Sequence, residues 1–191
     1  MSTLELWYPC KPKVTVQGFG NVMPIYTAMG LRGHNGIDFQ AFHGQPVYAA
    51  HDGTCYPEVD GKGGNGVVIR SDKPYDWQGQ QVYFKSIYWH LVDANAVVKT
   101  GQAVKVGDLI GYADNTGQST GDHLHFGLKV QQYNEVDFTW YNLGMGDGYL
   151  GAIDPAPFFN GYYAEDSGKV LTILGQIISA LTALISSKKP K

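Results

Sequence analysis

The stretch GDHLHFGL, residues 121–128, places two of the chain's six histidines within three positions. On a strand, successive side chains point to opposite faces, so His123 and His125 share one face and Leu124 takes the other. Their Cα atoms then lie roughly 6.5–7 Å apart, close enough for both imidazoles to reach one small site. Phe126 and Leu128 fall on the face of Leu124 and bury it, which leaves the histidine face polar and open. The pattern suits a metal site, and it also suits two exposed strand histidines.

A second stretch, LRGHNGIDFQ, holds His34 and Asp38 four residues apart. Gly33, Gly36 and β-branched Ile37 argue against a helix that would bring the two together. A straight strand separates them by about 13 Å, too far to share one ion. Asn35-Gly36 is a strong turn signal, and a turn there folds His34 back towards Asp38 at the mouth of the strand IDFQA. His34, Asp38 and His125 would then form a site with three protein ligands and an open fourth position, the arrangement of catalytic zinc. Two imidazoles and one carboxylate favour zinc over calcium or copper.

His90 ends the run QVYFKSIYWHL. Beside such a site, His90 and His123 are suited to accept a proton or to stabilise a developing oxyanion. Taken alone, His90 reads as a partly buried strand histidine. His43 in FHGQPV and His51 in AAHDG sit next to turn residues and read as surface histidines.

The elements that must position these residues are short strands. Twenty-five glycines, thirteen tyrosines, four tryptophans and eight phenylalanines in 191 residues mark a mainly β protein with many turns. PVYAAHDGTCYPEV reads as a hairpin turning at Asp52-Gly53. GKGGNGVVIR lacks the Lys-Ser/Thr ending of a phosphate loop and reads as a turn into a strand. Residues 132–152 read as one long aromatic and acidic loop. The composition changes after Asp166: residues 170–187 carry no charge and no proline, and predict a helix. Leu171, Leu174, Ile178, Leu181 and Ile185 recur at spacings of three and four along it. As a helix this run spans about 27 Å, just short of the ~30 Å bilayer core. A weakly polar stripe beside the apolar seam favours self-association or docking on a partner over membrane contact. The division expected is a β-rich unit over residues 1–160 and a helical appendage over residues 161–191.

Composition narrows the class. Hydrophobic residues at 43% and charged residues at 16% suit a globular chain, and a net charge of -3 gives no basic surplus for nucleic acid. Cys10 and Cys55 are too few for a disulfide framework and fit either one pair or two buried thiols. The opening MSTLELWYPCKPKV lacks the basic and apolar regions of a secretory signal.

His-x3-Asp in GHNGIDF, the histidine of YWHL and His-x-His in STGDHLHFGL together resemble the lysostaphin-type zinc endopeptidases that cut peptidoglycan. GQPVYAAHDG, VKVGDLIGYADNTGQSTG and IDPAPFF follow in that family's order, and the likeness spans roughly residues 14–159. The resemblance implies a compact antiparallel β-sheet core, sandwich-like and of duplicated-hybrid-motif type, with a catalytic groove across one sheet. It implies one Zn2+ per chain on His34, Asp38 and His125, with His90 and His123 as the catalytic pair and a peptidoglycan peptide as substrate. Segments 72–82 and 133–152 look longer than a minimal member needs. A wall substrate outside the cytoplasm, with no visible leader, points to a phage lysin or a virion-associated enzyme. Two other readings are a non-catalytic wall-binding or virion module on the same fold, and a sugar-transport phosphocarrier, which His-x3-Asp argues against.

Overall fold

The computed structural model describes residues 3–187. Its first part holds β1 (Leu6–Tyr8), β2 (Thr15–Gln17), a short helix α1 (Pro24–Ala28), β3 (Ile37–Gln40) and β4 (Pro46–Tyr48). Longer strands follow: β5 (Gly53–Asp60), β6 (Gly64–Arg70), β7 (Tyr75–Trp77) and β8 (Gln80–Leu91). Then come β9 (Gln102–Val104), β10 (Leu109–Tyr112), β11 (His123–Asn134), β12 (Thr139–Asn142) and β13 (Ala152–Ile153). β14 (Phe159–Tyr163) and helix α2 (Ser167–Ser187) complete the described residues.

One antiparallel sheet runs in the order β2-β3-β11-β8-β6-β5-β9, with β12 and β13 added to β11 and β7 to β8. Two small pairs, β1 with β14 and β4 with β10, close over one of its faces. The core lies between these layers. Along β11, Leu124, Phe126, Leu128 and Val130 are buried, and His123, His125 and Lys129 take the other face. Along β8, Val82, Phe84, Ser86 and Tyr88 face inward in the same alternation. Each fully buried large side chain contributes roughly 1.5–3 kcal/mol, so this period-2 pattern fixes which face is covered. The uncovered face is the groove. The mainly β antiparallel architecture with one C-terminal helix is the one the sequence predicts.

Three local expectations are corrected. PVYAAHDGTCYPEV is not a hairpin: β4 pairs with β10, whereas β5 pairs with β6 and β9. The intervening backbone crosses between layers, with Ala49 N–H bonded to Asp108 O at 2.9 Å and Ala50 O accepting from Trp7 N–H at 2.9 Å. Residues 132–152 are not one loop, because Gln131–Asn134 pairs with β12 as a hairpin; within 72–82, β7 likewise folds onto β8. His51 is buried, not a surface residue. Its Nδ1 donates to Asp52 O at 2.8 Å, and its Nε2 lies 2.8 Å from Ser86 Oγ, which is 3.2 Å from the Tyr88 hydroxyl. Ala50 N–H completes this buried chain by donating to Tyr88 at 2.9 Å. Cys10 and Cys55 are both free and buried, and His43 is exposed as expected.

Helix α2 begins at Ser167, whose Oγ donates to Val106 O at 3.0 Å. Beyond that anchor Leu171, Leu174, Ile178, Leu181 and Ile185 are all exposed. No helix among the described residues is long and apolar enough to cross a membrane.

Burial holds the His51 imidazole below its ordinary pKa, against the opposing pull of the Asp52 carbonyl. The unfolded chain therefore takes up a proton near pH 6.5 that the folded chain resists. His51 adds full stability above that pH and loses it as pH falls below it. Denaturant titrations from pH 7.5 to 5 should show His51→Gln with a shallower acid slope than the parent, by at most about 1.4 kcal/mol per pH unit. Equal slopes would contradict the buried neutral assignment.

Candidate metal centre

Asp38 is the second residue of β3 and stands directly opposite His125 across the β3–β11 ladder. His34 reaches the same point from the bend just before β3. Asp38 Oδ1 lies 3.0 Å from His125 Nδ1 and 3.1 Å from His34 Nε2. The two imidazole nitrogens are themselves 3.0 Å apart. His34 Nδ1 donates to Gly18 O at 3.1 Å, which leaves the lone pair of its Nε2 turned into the site. The turn predicted at Asn35-Gly36 is thus a bend that brings His34 back to Asp38.

The three side chains are 3%, 10% and 12% exposed. Burial by itself would raise the Asp38 pKa, but the His125 and His34 imidazoles beside it outweigh burial and hold the carboxyl well below the usual carboxylate range. Burial pushes His125 in the opposite sense, to a lowered pKa, against the pull of Asp38. Among the described residues, the ion-pair partners of Asp38 are all histidines. Two imidazole nitrogens and one carboxylate oxygen, all within 4.8 Å of one another, form a donor set that fits a borderline divalent cation.

His90 and His123 flank this group, with ring centroids 4.5 Å apart. His123 Nδ1 donates to Gly121 O at 2.8 Å, and its Nε2 lies 3.7 Å from Asp38 Oδ1. His90 Nδ1 donates to Thr116 O at 2.6 Å. Carbonyl anchors on both Nδ1 atoms fix the N–H there and leave the Nε2 atoms as the basic nitrogens. Burial lowers the His90 pKa to about 4, and the neighbouring His123 and His125 add to the shift while the Thr116 carbonyl opposes it.

His90 reaches this face by a departure from strand geometry. Alternation with Ser86 and Tyr88 would turn it into the core. Instead its φ is +64°, and the ladder shifts so that Gly66 pairs with Trp89 while Asn65 pairs with Leu91. Leu91 takes the core position and is fully buried. A non-glycine residue in this left-handed region costs about 1–3 kcal/mol, a strain typical of functional sites. It is held by His90 N–H to Gly63 O at 3.1 Å and by Asp114 N–H to His90 O at 2.7 Å. All five residues singled out in the sequence therefore meet at one place. His43, with Asp114 and Asp122, forms a second group, of which Asp114 is half-buried.

Tyr26 is a further residue at the site that the sequence does not mark. Its ring stacks on His34 at 5.4 Å, its hydroxyl donates to Gln17 Oε1 at 2.7 Å, and burial with the charge of Asp38 pushes its pKa up to about 12. PIYTAM carries no spacing signal that would have marked it. The whole cluster opens into a groove of about 810 Å³, walled on one side by α1 and on the other by residues 118–122.

A profile of peptidase family M23 matches residues 32–138 of this chain. The peptidoglycan DD-endopeptidase ShyA of Vibrio cholerae is 38% identical over 99 residues, which are 51% of this chain and 20% of that protein. The chain thus spans about a fifth of that relative's length. The catalytic domain of the antimicrobial peptidase lysostaphin from Staphylococcus simulans is 29% identical, with a TM-score of 0.56 over 76% of this chain and 91% of that one. A zinc-containing peptidase from Vibrio cholerae is 28% identical, with a TM-score of 0.55 over 80% of this chain and 41% of that one.

Gly36 makes the close approach of His34 and His125 feasible. A Cβ there would lie 2.6 Å from His125 Cε1 and 2.6 Å from Phe126 O. Gly36→Ala should therefore push His125 off Asp38 and destabilise the fold by about 1–3 kcal/mol. Thermal unfolding and the imidazole NMR signals of His125 test this; an unshifted midpoint with an unmoved ring would refute it.

Proposed function

Because the chain belongs to peptidase family M23, we propose that it is a zinc-dependent endopeptidase that hydrolyses peptide bonds in bacterial peptidoglycan. One observation carries the reading: His34 Nε2, Asp38 Oδ1 and His125 Nδ1 converge in an open groove, beside two more histidines anchored to backbone carbonyls through Nδ1. In this reading His34, Asp38 and His125 hold the zinc. A bound zinc ion supplies Lewis-acid polarisation of the scissile carbonyl and lowers the pKa of water.

The protein's own residues do the rest. The uncovered sheet face offers an extended peptide a floor several strands wide. His90 and His123 handle protons: one takes the proton of the attacking water and passes it to the leaving amine as the C–N bond breaks, and the other steadies the carbonyl oxygen as it gains charge. Thr116 and Gly121 keep both rings oriented by their carbonyls. The intact donor set favours an enzyme over a non-catalytic wall-binding module, and His-x3-Asp disfavours a phosphocarrier. The peptidoglycan endopeptidase among the relatives supports the substrate class.

Residues 1–160 form the catalytic unit in this proposal, and residues 161–191 an appendage for self-association or partner docking. Because its substrate lies outside the cytoplasm, the proposed setting is a virion or release at lysis.

Purified sacculi incubated with the protein should yield fragments with new amino termini and no new reducing sugars, identified by mass. His90→Ala and His123→Ala should retain metal and lose about 10²–10⁴ in rate. A rise in reducing ends alone would make the protein a glycosidase, and near-parental rates in both variants would remove the assigned roles.

A further inference from the structure

Away from the histidines, the groove face carries a row of cations. Arg70 on β6, Lys85 on β8 and Lys129 on β11 are register partners across three adjacent strands. All three lie opposite the core, because Ile69, Phe84, Ser86, Leu128 and Val130 beside them in sequence are buried. Registered residues on neighbouring strands have Cβ atoms about 4.5–5.5 Å apart, and like charges so placed destabilise a sheet. Some compensation must therefore come from elsewhere.

Two of the three have it within the protein. The Arg70 guanidinium sits 4.1 Å from the Trp140 ring centroid and 5.2 Å from that of Tyr56, and its Nε donates to Gln131 Oε1 at 3.0 Å. Lys85 Nζ donates to Glu58 Oε1 at 3.1 Å. The Lys129 ammonium has no hydrogen bond or ion pair among the described residues. The carboxylates acting on it through space are Glu58, already bonded to Lys85, and Asp147, whose Oδ1 accepts from Tyr149 N–H at 2.7 Å. Burial and the charge of Lys85 both hold its ammonium below the ordinary lysine pKa. Lys129, Lys85 and Glu58 line the same groove as His123 and His125.

We propose that Lys129, with Lys85 beside it, is a carboxylate-binding subsite for the peptide substrate. The ligand is a peptide with a free carboxylate, on a side chain or at a terminus. Lys129 is four residues along β11 from His125, about 13 Å at the strand rise. An extended peptide covers about 3.3–3.6 Å per residue, which puts the carboxylate about three to four residues from the scissile bond. This inference rests on the peptidase reading for the identity of the ligand.

The test uses the zinc-loaded full chain and two wall-derived peptides that differ only in carrying a carboxylate or a carboxamide at that distance. Both hydrolysis and equilibrium binding are measured, binding by calorimetry. The parent should favour the carboxylate by about 10- to 100-fold, the worth of one charge-assisted hydrogen bond, and mainly through KM. Lys129→Met should collapse that ratio towards one, and Lys129→Arg should restore most of it. High salt should shrink the parent's preference. Equal binding of the two peptides by the parent, or an unchanged ratio in Lys129→Met, overturns the subsite. Carboxylate-selective binding without hydrolysis of either peptide, or of sacculi, would instead overturn the peptidase reading and leave the subsite standing.

Discussion

A single buried carboxylate oxygen, Asp38 Oδ1, sets the terms for the rest of this molecule. It lies within 3.1 Å of nitrogens from two histidines that are 91 residues apart in sequence. A buried charge is tolerated only when its partners are held in place, because losing one leaves it uncompensated. The partners come from a bend and from a facing strand, so the β3–β11 register is part of the site. A slip of one residue would turn His123 and His125 into the core and expose Leu124 and Phe126. The apolar face of β11, with Leu124, Phe126 and Leu128 fully buried, makes such a slip prohibitive.

The flanking histidines depend on the same frame for a different reason. His90 sits in a left-handed backbone conformation that an undisturbed strand would not adopt. Close backbone approaches around it hold that conformation. Added Cβ atoms at Gly63 or Gly66 would meet the Trp89 indole at 2.4 and 2.1 Å, and one at Gly64 would meet Thr116 C at 2.4 Å. Thr116 in turn presents the carbonyl that orients His90 and donates its own hydroxyl to Leu91 O at 2.8 Å. Local strain at His90 is thus carried by a neighbourhood of glycines, one indole and one threonine.

How much of this is legible in the sequence follows from how local each signal is. HLHFGLKV announces its strand, its buried face and its histidine face by alternation alone. His34, Asn35, Gly36 and Asp38 announce a bend and a ligand pair within five residues. The motif YWHL marks His90, but strand alternation misplaces it: Ser86 and Tyr88 assign it to the core, and the distant Gly63 and Asp114 backbones redirect it. His51 misleads in the opposite way: next to Asp52-Gly53 it looks exposed, yet Ser86 and Tyr88 from β8 supply the partners that let it be buried. The cation row is invisible for a related reason. Arg70, Lys85 and Lys129 become neighbours only through pairings between strands far apart in the chain.

The organising role of Asp38 is open to one direct measurement. Zinc bound per chain can be determined by elemental analysis after dialysis against a weak chelator, for the parent and for Asp38→Asn. The amide keeps the shape of the carboxylate but removes the charge that His34 and His125 surround. With Asp38 as a ligand, the parent retains about one zinc per chain and the variant loses most of it, as expected for a site with three protein donors. One zinc retained equally by both proteins would contradict the assignment.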